Sequence, residues 1–343
     1  MRESTRLRAV NAVAVVLLAA AVVTIGGGLL LRARPLAERG AAPSGVSSAP
    51  SAQEPAAKDE PVNFLLCGID SSSRLTDVIL LCRIDPAAGR IRLLQIPRDT
   101  YVGQDVPSHK YNAVYSHAPK GVSGMETLRA RVAKDFGIPV AHYATVTTAG
   151  FRRLVDAAGG VDLTVPVDMD YDDPGQNLHI HLKKGPQHLD GSHAEQFVRD
   201  RHDWAMGDMG RLQAQKIFLA AFADKLRALG TVALATRVLP AVSAPDFLTD
   251  MSAGQMLALY QTARKIDMSQ VTVATMPGSY YTAGGVCYYS PDMTRLLALL
   301  NGSFVPAGTT LTRSDLGLRE SASGGEDTQS AAEKDFQSLV GSD

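Results

Sequence analysis

The chain has 343 residues, 45% of them hydrophobic and 20% charged, an ordinary globular composition with material for one large core or two smaller ones. Its formal net charge of −1 gives no global attraction for nucleic acid, so charge is informative only locally. The three cysteines lack metal-type spacing and the eight histidines show no HExxH or comparable pattern, which argues against zinc, and there is no GxSxG, Walker or GxGxxG motif.

Arg2, Arg6 and Arg8 precede an uncharged run from Ala9 to Leu31. About 20 apolar residues in a helix cross a bilayer core, so residues 9–31 read as a transmembrane anchor. The basic flank puts residues 1–8 in the cytoplasm and everything after Arg32 outside the cell, as a single-pass cell-membrane protein. A cleaved signal peptide is the alternative; the run is long for one and no clear small-x-small site follows it. Residues 32–61 are rich in Ala, Pro and Ser and read as a flexible linker.

The folded domain is predicted over 62–312. Asn63–Ile69, Val78–Ile84 and Arg90–Ile96 are short apolar runs that suit central strands covered on both faces, and Asp85-Pro86-Ala87-Ala88-Gly89 is a turn between the second and third. Cys67 and Cys82 lie inside such runs, where a free cysteine behaves as a small buried hydrophobe; a Cys67–Cys82 disulfide between neighbouring strands is the alternative. Met125, Leu128, Val132 and Phe136 recur at helical spacing until Gly137 and Pro139. A strand follows over His142–Thr147, then a short helix marked by Phe151, Leu154, Val155 and Ala158, then a strand over Val161–Val165. His179 and His181 share one face of a further strand, as ordinary edge residues do.

Ser192-His193-Ala194-Glu195 has the capping-box pattern and opens another helix. Leu212, Leu219, Phe222, Leu226 and Leu229 outline the stripe of a long helix after Asp208. A strand over Val271–Met276 and a helix begun by Ser290-Pro291 complete the domain. The chain turns loop-like after Asn301, and residues 313–343 are polar enough to read as a disordered tail. The order predicts an α/β/α sandwich around a central mixed sheet, preceded by one transmembrane helix.

Arg199-Asp200-Arg201-His202-Asp203 is the most informative stretch. Arg199 and Arg201 cannot share a helix face, but a helix ending near Arg199 lets an extended segment aim both into one cleft. Asp208, Arg211 and Gln215 fall at i, i+3 and i+7, on one face near a helix N-terminus, where anions are favoured. Converging arginine forks suit a diphosphate, and a solvated salt-bridged surface is the competing reading. Ile96-Pro97-Arg98-Asp99-Thr100-Tyr101 sets a charged pair at a strand's carboxyl end, where ligand crevices of open α/β sheets lie. Asp70 ends the first strand and Asp77 precedes the second; two such carboxylates suit Mg²⁺ shared with phosphate oxygens. In His109-Lys110-Tyr111-Asn112, Lys110 adds a charge and Asn112 a hydrogen bond, or the four form a surface loop.

In order along the chain, these segments resemble the LytR-CpsA-Psr family of cell-envelope proteins: Asn63-Phe-Leu-Leu-Cys-Gly-Ile-Asp70, Arg74-Leu-Thr-Asp77, Ile96-Pro-Arg-Asp-Thr-Tyr101, Lys110-Tyr-Asn112, Gly159-Gly-Val-Asp162, Lys184-Gly-Pro-Gln-His-Leu-Asp-Gly191, Arg199-Asp-Arg-His-Asp203, Gly207-Asp-Met-Gly-Arg211 with Gln215, and Met276-Pro-Gly278 with the segment from Gly284 to Tyr289. The resemblance spans about 62–301, and Arg74 stands one residue further from Asp77 than in many members. It implies transfer of a glycopolymer, such as teichoic acid or capsule polysaccharide, from an undecaprenyl-pyrophosphate carrier to peptidoglycan through a phosphodiester. It implies Asp70 and Asp77 as the residues associated with Mg²⁺ or Mn²⁺. Arg74, Arg98, Lys110, Arg199, Arg201, Arg211 and Gln215 would hold the pyrophosphate, and Arg98, Asp99, Arg199 and Arg201 would serve catalysis. Two rivals share these residues: a polyprenyl-pyrophosphate phosphatase that passes the group to water, and a non-catalytic anchored lipid-binding or regulatory protein.

Overall fold

The computed structural model describes residues 60–320 except 71–73, 175–177, 205–207, 230–232, 239–240, 242–245, 253–254, 256–258, 260–261, 264 and 307, together with 334–335. The predicted anchor at 9–31, the segment 1–8 and nearly all of the linker lie outside the described residues. Among the described residues no helix is long and apolar enough to cross a membrane.

The apolar runs near the start of the domain form the centre of a seven-stranded mixed sheet. Strand β1 (Val62–Ile69) pairs antiparallel with β2 (Thr76–Asp85) and parallel with β4 (His142–Thr147). Strand β3 (Arg90–Gln95) pairs antiparallel with β2 and parallel with β10 (Val271–Thr275). The edges are β9 (Phe247–Thr249), beside β4, and β13 (Lys334–Asp335), beside β10. Alternation along β1 explains why both faces are apolar. Leu65, Cys67 and Ile69 pack with helices α1 (Gly124–Phe136) and α5 (Met293–Ser303) on one side. Phe64 and Leu66 pack with Ala220 and Ala223 of α4 (Asp208–Ala228) on the other. This is the predicted layering of helices about a central mixed sheet.

The same alternation decides the cysteines. Cys67 belongs to the core on one face and Cys82 to the core on the other, and both thiols are free. Burial pushes both thiols far above their ordinary pKa, as expected of inert core residues.

A further apolar cluster joins two hairpin-like pairs to the helices. Strand β5 (Val161–Val165) pairs with β8 (Gly185–Leu189), and β6 (Met169–Asp173) with β7 (Leu178–Leu182). Their inner faces pack against α2 (Thr148–Ala158), α3 (Gly191–Arg199) and α4. His179 and His181 do share the exposed face of β7, opposite Asp172 and Asp170.

Three helix ends differ from the predicted ones. The N-cap of α3 is Asp190, whose carboxylate accepts from His193 N, rather than Ser192. Gly191 permits this start, because an alanine Cβ there would collide with the backbone of Arg152. Ser290-Pro291 ends strand β12 (Val286–Pro291), the partner of β11 (Gly278–Ala283), and α5 is capped instead by Asp292. Helix α5 runs past Asn301 to Ser303, and Asn301 then pins the returning chain by bonding Leu311 N at 2.7 Å and Leu311 O at 3.0 Å. Leu316 and Leu318 pack into the core beside α1, so the packed chain continues beyond the predicted boundary at 312.

Asp135 is a buried carboxylate that depends on Arg131. The guanidinium meets Asp135 Oδ2 at 2.6 Å, Asp105 Oδ2 at 2.5 Å and Val102 O at 2.9 Å. Burial raises the Asp135 pKa even against the pull of Arg131. Arg131→Ala is expected to destabilise the domain by about 3–5 kcal/mol, because it strands that charge. A carboxyl with a raised folded-state pKa loses stability as pH rises from its unfolded value through its folded one. The deficit of the variant is therefore smaller under acid than under neutral conditions. Urea unfolding of both proteins at about pH 5 and about pH 7.5 measures it.

Candidate active site

A cavity of about 240 Å³ lies between the sheet and helices α2, α3 and α4. One part of its lining is apolar: Leu66, Leu80 and Ala144 from the sheet, Phe151 and Leu154 from α2, and Phe218 and Phe222 from α4. The other part carries Asp70, Asp77, Arg98, Glu195, Arg199, Arg201, Arg211 and Gln215. Arg201 is exposed and Asp70, Asp77, Arg98 and Arg199 are partly so, so the charged end meets solvent.

Strand ends deliver the first group. Strand β1 is irregular between Gly68 and Ile69, and Gly68 is constrained, since a Cβ there would meet Val78 Cβ at 3.1 Å. Asp70 N then donates to Leu75 O at 3.0 Å, and Asp77 follows at the start of β2. After β3, Thr100 closes a turn by bonding Pro97 O through its backbone N and its Oγ1. That turn sends Arg98 Nη1 to Asp77 Oδ1 at 2.5 Å. Arg98 Nε lies 3.8 Å from Asp99 Oδ2, and Lys110 Nζ lies 2.8 Å from Asp99 Oδ1.

Helix ends deliver the second group. Helix α3 stops at Arg199, and Asp200 is extended with φ −59° and ψ 134°. This break carries both Arg199 and Arg201 to the cavity, as the Arg-x-Arg spacing requires. The segment is held from outside: His202 stacks on Tyr171 of β6 with centroids 3.9 Å apart, and Asp203 Oδ2 accepts from Asp170 N at 2.8 Å. Asp200 is buried, accepts from His202 N at 3.1 Å, and has its pKa raised by burial. Arg211 and Gln215 are buried on one face of α4, whose start is packed so closely that an alanine at Gly210 would collide with Trp204.

The structure thus brings together Asp70, Asp77, Arg98, Arg199, Arg201, Arg211 and Gln215. Arg74, Asp99 and Lys110 are not on the cavity lining. Arg74 is exposed with φ 55°, and Lys110 is held by Asp99. Asn112 is buried rather than in a surface loop; its backbone ties Arg98 O and Thr76 Oγ1 together.

Two residues of the site escaped the sequence reading. Glu195 is buried and bridges Arg199 at 2.6 Å and Arg152 at 3.0 Å. Gln95, the last residue of β3, donates to Gln215 Oε1 at 2.7 Å and accepts from Thr275 Oγ1 at 3.2 Å. Glu195 lies one turn before Arg199 on α3, a signal open to an i, i+4 reading; Gln95 has no local signal.

Asp70 and Asp77 both line the cavity, and two carboxylates are donors of the kind that Mg²⁺ takes together with substrate phosphate oxygens, although Asp77 Oδ1 already meets Arg98. Among the described residues no group of three or more His, Cys, Asp or Glu side chains forms a self-sufficient metal site.

Known proteins resemble this chain in sequence and in fold. The chain is 31% identical over 254 residues to the polyisoprenyl-teichoic acid–peptidoglycan teichoic acid transferase TagV of Bacillus subtilis, covering 70% of this chain and 63% of that protein's length. It is 30% identical over 238 residues to the transferase TagU of Bacillus cereus, covering 68% of this chain and 74% of that protein. The crystal structure of B. subtilis TagV superposes with a TM-score of 0.57 at 28% identity, covering 70% of this chain and 94% of that one. The model of the LytR_cpsA_psr family matches residues 38–303, and the chain belongs to that family.

Proposed function

We propose that this chain is a phosphotransferase that takes a glycopolymer from an undecaprenyl-pyrophosphate carrier and joins it to peptidoglycan through a phosphodiester. The observation that carries this reading is a single cavity whose lining combines an apolar chamber from the sheet, α2 and α4 with Arg98, Arg199, Arg201, Arg211 and two aspartates. A prenyl chain gains about 25 cal/mol per Å² on entering such a chamber, while guanidinium forks take the phosphate oxygens. The names of TagV and TagU support transfer to peptidoglycan. Teichoic acids and capsule polysaccharides share the pyrophosphate-lipid end, so the site reads the linkage rather than the polymer. In this reading the apolar run 9–31 is a membrane anchor that keeps the extracellular site beside the bilayer where the carrier resides.

The acceptor hydroxyl oxygen attacks the phosphorus next to the sugar. A new P–O bond forms, the bond from that phosphorus to the bridging oxygen breaks, and the electron pair leaves on the lipid monophosphate. Of the two candidate bases, Asp77 and Asp99, Asp77 lines the cavity and takes the hydroxyl proton. Arg199, Arg201 and Arg211 hold the phosphate oxygens and neutralise the charge that grows on them. Arg98 is oriented by Asp77 and by the Asp99–Lys110 pair, so Asp99 and Lys110 act on the site through Arg98. A divalent ion held by Asp70 and Asp77, Mg²⁺ or Mn²⁺, supplies further charge neutralisation when bound.

Product analysis of the full chain with a lipid-linked donor tests this. With a peptidoglycan acceptor, polyprenyl monophosphate and a phosphodiester-linked conjugate are expected, and chelation of divalent ions should cut turnover by about 100-fold or more. Glycosyl phosphate released to water equally with and without acceptor would make the protein a pyrophosphatase. Donor binding without turnover would make it a lipid-presenting protein, and turnover indifferent to chelation would remove the metal role of Asp70 and Asp77.

A further inference from the structure

Beside the charged end, and outside the cavity lining, runs a row of aromatic side chains. Tyr281 and Tyr288 of the β11–β12 hairpin have ring centroids 5.7 Å apart, Tyr288 meets Tyr101 edge-on at 5.5 Å, and Tyr101 lies 6.1 Å from the His109 ring. Lys110 Nζ sits 5.7 Å from the Tyr288 centroid. Tyr101, His109, Lys110 and Tyr281 are partly exposed, while Tyr288 between them is buried, so the row presents its outer members at the surface and is anchored in the fold by Tyr288.

The row is joined to the site by backbone and by charge. Tyr101 N donates to Tyr289 O at 3.0 Å and Tyr289 N donates to Asp99 O at 2.9 Å, which locks the hairpin to the segment after β3. From Asp77 in the cavity, ion pairs run through Arg98 and Asp99 to Lys110, above Tyr288. His109 has φ 57°, a left-handed backbone for a non-glycine residue, and its Nδ1 is fixed on Gly103 O at 2.8 Å. Strain of this kind persists where its surroundings hold it, and it gathers at ligand clamps. Here it turns the chain between His109 and Lys110 at the edge of the row.

A tyrosine presents an apolar ring face and a hydroxyl tip. A pyranose ring presents the complementary pair, a C–H face and hydroxyl edges. Several such rings in file, with a lysine among them, match a saccharide chain better than a flat apolar partner. We propose that Tyr101, His109, Lys110 and Tyr281, held in place by the buried Tyr288, form a subsite for the glycan strand of the peptidoglycan acceptor; this rests on the transferase reading. The occupant follows from continuity: the apolar chamber takes the carrier, and the row ends at the Arg98–Asp99 segment. A strand lying on the row therefore carries its hydroxyl to the charged end from outside.

The test is binding of a soluble N-acetylglucosamine–N-acetylmuramic acid tetrasaccharide to the full chain in nanodiscs, by saturation-transfer NMR and calorimetry. The unmodified chain should bind it, Tyr281→Ala should weaken Kd by about 10-fold or more, and Tyr281→Phe should stay within about 2-fold. Tyr101→Ala should repeat the loss; if it unfolds, the partly exposed Tyr281 carries the test alone. No binding by the unmodified chain, or equal binding by Tyr281→Ala, overturns the subsite. Binding of the released glycopolymer in place of the tetrasaccharide overturns the acceptor assignment. Because no donor is present, a chain that binds the tetrasaccharide but transfers nothing supports the subsite and refutes the transferase reading alone.

Discussion

Arg199→Ala is expected to lower kcat/KM for the lipid-linked donor by about 10²–10³-fold, or about 3–4 kcal/mol of transition-state stabilisation. Two effects combine. The variant removes a guanidinium fork from the end of the cavity where phosphate charge grows. It also strips Glu195 of its 2.6 Å partner, leaving a carboxylate side chain only 10% exposed that still faces Arg152 at 3.0 Å. That carboxylate then repels the phosphate the site has to hold. Arg199→Lys keeps the charge and loses the fork, so it should fall between the two. Steady-state kinetics with a thermal-melt control measures all three proteins. The reading predicts a loss mainly in kcat, since the arginine works hardest on the transition state. If Arg199→Ala and Arg201→Ala both kept full transferase activity, the site would be misassigned.

Those arginines were visible in the sequence because their spacing forbids a shared helix face, and the end of α3 at Arg199 is the only way to use both. The sheet was visible for a similar reason: β1 to β3 are apolar on both faces, as buried central strands are. Other features depend on directions that spacing does not encode. Arg74 and Lys110 are near the site in sequence, but a left-handed backbone at Arg74 and the Asp99 carboxylate at Lys110 set where they lie. Ser192 fits a capping pattern as well as Asp190 does, and only the close approach of Gly191 to Arg152 decides between them. Gln95 reads as one polar residue at a strand end; its role comes from Gln215, 120 positions away along the chain. An apolar lipid pocket inside the sandwich was implied by the family resemblance, but its lining was not legible. Phe151, Phe218 and Phe222 line it, and nothing in their spacing separates a phenylalanine facing a cavity from one facing the core.

Ala144→Leu is expected to raise KM for a long-chain prenyl donor by about 10-fold or more while leaving KM for a short-prenyl donor within about 2-fold. Ala144 sits on β4 directly across from Leu66 of β1, and both residues line the chamber. The small side chain keeps space open on the sheet wall. A leucine there extends into the cavity of about 240 Å³ and displaces part of the chain that would occupy it. Each prenyl methylene group kept out forfeits about 0.8 kcal/mol of burial, so a few of them account for a tenfold effect. The pyrophosphate contacts lie at the other end, on the arginines, and do not change; kcat should therefore hold within a few-fold. Stability separates this from a packing defect. Filling an existing void removes no contacts, so the melting temperature of Ala144→Leu should match or exceed that of the unmodified chain. Equal KM changes for long and short donors would refute a hydrocarbon chamber, because the substitution would then be acting on the charged end that both donors share.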